Sequence, residues 1–324
     1  MNKNDAEFKK IARNIGISLL SFVLMFYFVL TVFYAVFEDI INQIFSPIVS
    51  KIVFEGLYGI LYAATFVVPA LIYMILSRKQ KKEMPVKFPI SPSTTVFTVS
   101  LAIAIIFSAA YINNLLASVF DISDSLTTSD EVSSFIDFLL LTFTMAIVPA
   151  FCEEFLFRKT IIKALLPYGE GLAILSSAVM FGMMHQNIFQ IFYATMAGIV
   201  LGYVYSKTRS FLCVFLIHFT NNFLSVIQQT LVDNLGEPYD VFAGALLTGT
   251  VLLLGVISLI FLIKKEYNQK NAYSTGSFEM ILRPSANYFK KKTSFNCAKK
   301  LFLSPCVLIF IILCALMCVA MIVI

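Results

Sequence analysis

From Ile15 to Phe37 the chain runs for 23 residues without a charged side chain, and similar runs recur to its end. About 20 apolar residues is the length at which a helix crosses the hydrocarbon of a bilayer, so the spacing of these runs constrains the fold more than any other feature. The first run has no small-residue cleavage site and reads as a retained helix. Others follow at roughly 57–76, 94–118, 133–166, 171–187, 188–206, 210–230, 241–263 and 304–324. Composition agrees: 59% of the 324 residues are hydrophobic and 13% charged, where a soluble protein carries about a quarter charged. The fold class is therefore all-α, a polytopic transmembrane helix bundle of about nine spans. The fourth run is too long for one upright span and contains Pro149, so a tilt or kink is expected there. The divide between the fifth and sixth rests on Gln186, Asn187 and Gln190.

With the N-terminus placed in the cytoplasm, 23 of the 24 lysines and arginines fall on that side, in segments 1–14, 77–93, 158–170, 206–210 and 264–303. Only Lys51 lies opposite, among acidic residues such as Glu38, Asp39, Asp121, Asp124, Asp130, Asp233 and Asp240. The positive-inside rule then puts the N-terminus in and the C-terminus out. The net charge of +5 is thus explained by topology, with the lipid bilayer as partner and no nucleic acid expected. Residues 264–303 read as a basic cytoplasmic linker with affinity for anionic lipid, through Lys290, Lys291, Lys292, Lys299 and Lys300. The six cysteines contain no CxxC pair and read as small buried side chains. Gly198 and Gly202 have the small-xxx-small spacing that lets helices approach closely. The organisation expected is three spans over 1–132, a functional core over 133–230, an eighth span within 231–263, the linker 264–303, and a last span over 304–324.

Residues 151–158, within the fourth run, hold three charges, Glu153, Glu154 and Arg158, and the two histidines of the chain, His185 and His218, lie in apolar segments downstream. Charge at bilayer depth is costly and marks function by default. Glu154 and Arg158 are one helical turn apart and can neutralise each other; removing one partner of such a buried pair costs about 3–5 kcal/mol. Phe181 precedes His185 by one turn and would hold its ring; His218 and Asn222 share a face. Counting from the turn at Gly169, Glu153 lies 16 residues back and His185 16 forward. An antiparallel hairpin brings both to one depth, on the order of 20 Å from the turn. Counted from Ser210, His218 and Asn222 lie roughly 12 and 18 Å along their helix, within reach of that level. A carboxylate beside a histidine can activate water as a general base. A second histidine with an asparagine amide offers donors to an oxyanion. The same Glu153, His185 and His218 could instead ligate Zn²⁺. Either chemistry fits hydrolysis of an acyl bond. Two other readings of these residues are interhelical glue and a proton-coupled transporter, although the chain lacks paired Gly/Pro-broken helices in matching halves.

These residues carry a family resemblance. Glu153-Glu154-Phe155-Leu156-Phe157-Arg158 fits EExxxR, Phe181-Gly182-Met183-Met184-His185 fits FxxxH, and His218-Phe219-Thr220-Asn221-Asn222 fits HxxxN. In that order they resemble the CAAX protease and bacteriocin-processing family of intramembrane proteases, which includes the type II CAAX prenyl endopeptidases. The resemblance covers about residues 133–230 and departs at Arg209, where a glycine is common. It implies an eight-helix protease-like unit followed here by an extra C-terminal helix, in a multi-pass protein of a bacterial plasma membrane. It implies Glu153 as general base assisted by His185, an oxyanion hole of His218 and Asn222, and supporting roles for Glu154, Arg158 and Phe181. Its expected substrates are membrane proteins or lipidated peptides. No cofactor is required if glutamate activates the water; Zn²⁺ is the alternative. A catalytically idle scaffold or bacteriocin-immunity protein on the same fold is the competing function.

Overall fold

The computed structural model of the chain describes residues 3–78, 91–119, 131–272, 282 and 291–323, and their secondary structure is helical throughout. The helices are α1 (Lys3–Ile44), α2 (Pro47–Leu76), α3 (Pro92–Val119), α4 (Phe135–Tyr168), α5 (Glu170–Met184), α6 (Ile188–Thr208), α7 (Phe211–Leu235), α8 (Tyr239–Ala272), α9 (Lys291–Phe302) and α10 (Pro305–Val323). Seven of them, α1–α4 and α6–α8, are long and apolar enough to cross a membrane, and the pair α9–α10, bent by 67°, makes eight if counted as one span. Of the nine expected spans, the fifth, over 171–187, is α5, which has only 15 residues. At 1.5 Å per residue it is about 22 Å long, short of the ~30 Å of hydrocarbon. The chain turns back at His185–Asn187, where Gln186 and Asn187 are buried. Non-helical backbone at membrane depth is tolerated only where protein or a cavity surrounds it.

Local chemistry sets the helix ends. Asn187 Oδ1 accepts from Phe189 N at 2.9 Å to start α6, and Ser210 Oγ accepts from Cys213 N at 3.2 Å to start α7. Gly169, between α4 and α5, takes φ 144°, a conformation that a side chain would disfavour. Arg209 takes φ 52°, which accounts for a glycine being common at that position in the family it resembles. Across Pro149, α4 remains one span. Two widened π-type stretches, Thr142–Ile147 and Phe155–Ile162, flank the segment that holds Pro149 and the glutamates. Widened turns of this kind cluster at functional sites.

α1 packs on α2 and α10, α3 on α8, α4 on α7, and α5 on α6. The α5–α6 hairpin closes on small residues, as the small-xxx-small spacing implied. A Cβ at Gly198 would lie 3.0 Å from Ala178 Cα, and one at Gly202 3.1 Å from Ile162 Cδ1. Leucine at 198 should therefore destabilise the protein by about 1–3 kcal/mol through overpacking. Thermal unfolding in detergent is expected to show this for Gly198→Leu but not for Gly56→Leu, whose Cβ would meet nothing within 4 Å.

Two charge patterns gain a structural reason. Lys51, the one basic residue on the acidic side, pairs with Asp137 at 2.6 Å. The presumed linker 264–303 is helical at both ends, as the last part of α8 and as α9, whose Lys300 pairs with Asp5. Asp121, Asp124, Asp130 and Lys290, and the side chains of Lys291 and Lys292, lie outside the described residues.

Candidate active site

Where α4 passes the α5–α6 turn, a cavity of about 70 Å³ is lined by Glu153, His185, His218 and Asn222, with Phe181 and Tyr193 beside them. That volume holds several waters. Four of the residues in the motifs thus meet, delivered by three different local devices. Glu153 and Glu154 end the α-helical part of α4 just before the wide turn at Phe155–Ile162. His185 caps the C-terminus of the short α5. His218 and Asn222 sit one turn apart on α7.

Both imidazoles have an identifiable tautomer. His185 Nδ1 lies 2.9 Å from the Phe181 carbonyl, which can only accept, so Nδ1 carries the hydrogen. Its Nε2 is left with a lone pair. His218 Nδ1 lies 2.8 Å from Glu154 Oε1, and the carboxylate accepts there too. His218 Nε2 stands 3.9 Å from Glu153 Oε2, too far for a direct hydrogen bond and within the span of one bridging water. Second-partner hydrogen bonds of this kind fix which ring nitrogen faces the chemistry.

Glu154 therefore has two partners. Beside His218 it meets Arg158 Nε at 3.0 Å, and both side chains are completely buried. The contact is close but poorly aligned, since Arg158 Nε, Nη1 and Nη2 make no hydrogen bond among the described residues. The guanidinium instead lies over the Phe181 ring, 4.7 Å from its centroid. The Phe181 ring also presents edge contacts to His185 at 5.0 Å and His218 at 6.0 Å. Phe181 touches three polar groups, where the sequence suggested one.

Asn222 is engaged by α4. Pro149 has no N–H to give the Met145 carbonyl its i+4 partner, and Asn222 Nδ2 donates to that carbonyl at 2.9 Å. One hydrogen of the amide remains. Asn221, absent from the sequence-based site, also lines the cavity; its Nδ2 donates to Asn222 Oδ1 at 3.1 Å and its Oδ1 accepts from Tyr193 Oη at 2.9 Å. Two tyrosines from the N-terminal helices were likewise unmarked. Tyr62 Oη donates to Glu153 Oε1 at 2.7 Å, and Tyr27 Oη donates to Gln186 Oε1 next to His185. Gln186 takes φ 54°, a strained conformation for a residue with a side chain.

Among the described residues no three His, Cys, Asp or Glu side chains stand close enough to hold a metal ion. The Nδ1 hydrogen bonds of the two histidines are no bar to a metal, since a ligating histidine uses one ring nitrogen and donates the other to a carbonyl or carboxylate.

The fold and the site together define an integral, multi-pass membrane protein with a carboxylate–imidazole centre buried among its spans. Residues 135–224, the segment that holds all three motifs, match the family described as Type II CAAX prenyl endopeptidase Rce1-like, and over that segment the chain is similar to that family. Comparison with curated proteins and with solved structures gave no match.

Proposed function

We propose that the protein is an intramembrane endopeptidase in which Glu153 activates a water for attack on a peptide carbonyl. The observation that carries this reading is the convergence of Glu153, His185, His218 and Asn222 on one cavity. Glu153 takes a proton from water as the water oxygen bonds the carbonyl carbon, and the carbonyl electron pair moves onto its oxygen. His185 Nε2, with its free lone pair, accepts the other water hydrogen and holds the nucleophile in line. The oxyanion is met by the second hydrogen of Asn222 Nδ2, with His218 Nε2 beside it as a second donor when that nitrogen carries a hydrogen. Collapse breaks the C–N bond, and the leaving amine takes its proton from Glu153. Each step uses only groups on this chain.

The substrate class suggested by the family's description is a peptide carrying a prenyl group; membrane-associated peptides in general fit a site this deep. The basic segment 158–170, which ends at the α4–α5 turn, argues for a cytoplasmic N-terminus and cleavage near the cytoplasmic leaflet. An idle scaffold is less well supported, because Glu153 Oε2 is buried with no hydrogen-bond partner among the described residues. Glu153 also lines the cavity, where a carboxylate oxygen without a protein partner is open to a water.

Mapping new protein termini in cells making the wild-type protein or Glu153→Gln tests this reading. Cut sites should appear only with wild type. Identical termini in both would refute the endopeptidase assignment. Repeating the comparison with a chelator separates glutamate-activated from metal-assisted hydrolysis.

A further inference from the structure

We propose that Tyr62, on α2 and outside the family-matched segment, is the positioning residue for Glu153, so that the N-terminal helices form part of the catalytic unit. This rests on the reading of Glu153 as general base.

Glu153 has two carboxylate oxygens in different situations. Oε1 accepts the Tyr62 hydroxyl at 2.7 Å, and Oε2 faces His218 Nε2 at 3.9 Å without a hydrogen bond among the described residues. A carboxylate on a flexible side chain rotates unless one oxygen is fixed. Here the fixed oxygen is Oε1, and the one presented to the histidine and the cavity is Oε2. Tyr62 is the hydrogen-bond donor to Glu153 among the described residues, so it sets which oxygen meets the water.

Packing holds the tyrosine in place. Gly59, one turn before Tyr62, lets α2 approach α4: a Cβ there would lie 2.7 Å from Phe143 Cε1. The Tyr62 ring is flanked by Phe66 at 5.1 Å, Phe26 at 6.2 Å and Tyr58 at 6.0 Å between centroids. Aromatic neighbours of this kind restrict the two torsions that aim the hydroxyl. Misplacing a catalytic group by about 1 Å can cost on the order of 100-fold in rate.

The test uses the full chain in nanodiscs, with Tyr62→Phe, Tyr58→Phe, Glu153→Gln and the double variant Tyr62→Phe/Glu153→Gln. On a quenched-fluorescent peptide built on a Glu153-dependent cut site, Tyr62→Phe should lower kcat about 10- to 100-fold and leave KM within about twofold. Tyr58→Phe, which deletes an equivalent hydroxyl from the same aromatic row, should retain wild-type kcat. The double variant should be no slower than Glu153→Gln alone. Infrared difference spectra of wild type against Glu153→Gln isolate the Glu153 carboxylate bands without any turnover. Those bands should shift in Tyr62→Phe and stay put in Tyr58→Phe. Wild-type cleavage by Glu153→Gln would remove the general-base reading. Loss of activity in Glu153→Gln with wild-type kcat in Tyr62→Phe, or unshifted carboxylate bands, would overturn the role of Tyr62 and leave the general-base reading standing.

Discussion

Replacing Glu154 with alanine is expected to destabilise the bundle by about 3–5 kcal/mol, because it strands a buried guanidinium. Arg158 and Glu154 are both completely buried, and the Glu154 carboxylate at 3.0 Å is the charge that Arg158 meets. The Phe181 face, 4.7 Å away, offers the guanidinium a quadrupole and no hydrogen-bond acceptor. Buried ion pairs replaced as a unit behave differently: apolar residues of similar volume are often neutral or stabilising. Glu154→Leu with Arg158→Met should therefore recover most of the stability that Glu154→Ala loses, as read by thermal unfolding in detergent. Peptide cleavage should not recover with it, since His218 Nδ1 would still lack its acceptor 2.8 Å away. A double variant that regained full turnover would show that Glu154 acts on the fold alone. An apolar pair would serve the packing equally well, so the contact with His218 is the physical reason for a carboxylate at this position.

The parts of this architecture legible in the sequence share one property: they contrast with their surroundings. Charge and imidazole inside apolar runs are rare, so Glu153, Glu154, Arg158, His185 and His218 stand out, and the i, i+4 spacing exposes the Glu154–Arg158 pair. Asn187 and Ser210 are visible as helix boundaries for the same reason, short polar residues before apolar helices. Tyr62 gives no such contrast. It belongs to a chain with 14 tyrosines and 33 phenylalanines, and its hydroxyl matters only because Gly59 lets α2 lie against α4. The second partner of Glu154 is hidden too, since local spacing ties it to Arg158 and only the fold brings His218 to its other oxygen. Helix length is the remaining gap. The 171–187 run ends in His185-Gln186-Asn187, and α5 stops short of them at Met184 because the chain turns into the Asn187 cap. The widened turns of α4 leave no pattern in composition, although Pro149 marks where the helix must depart from i→i+4 bonding.

Glu153→Gln should lower kcat by about 10²- to 10⁴-fold, the usual contribution of a positioned general base, while leaving the protein as stable as wild type or more so. Glutamine is nearly isosteric. Its Oε1 can still accept the Tyr62 hydroxyl that now reaches Glu153 at 2.7 Å. What is lost is the buried charge on Oε2, which has no hydrogen bond among the described residues. Burying such a group destabilises a protein, and active sites commonly retain costs of this kind because turnover requires them. Opposite signs for activity and stability would therefore distinguish a catalytic carboxylate from structural glue. Glue would lose both together, because an interhelical hydrogen-bonding residue contributes to the fold through the contact that is removed. The paired measurement is turnover on a Glu153-dependent peptide and unfolding temperature in the same detergent. A fall in unfolding temperature as large as that of Gly198→Leu, with turnover unchanged, would return Glu153 to the helix-packing role.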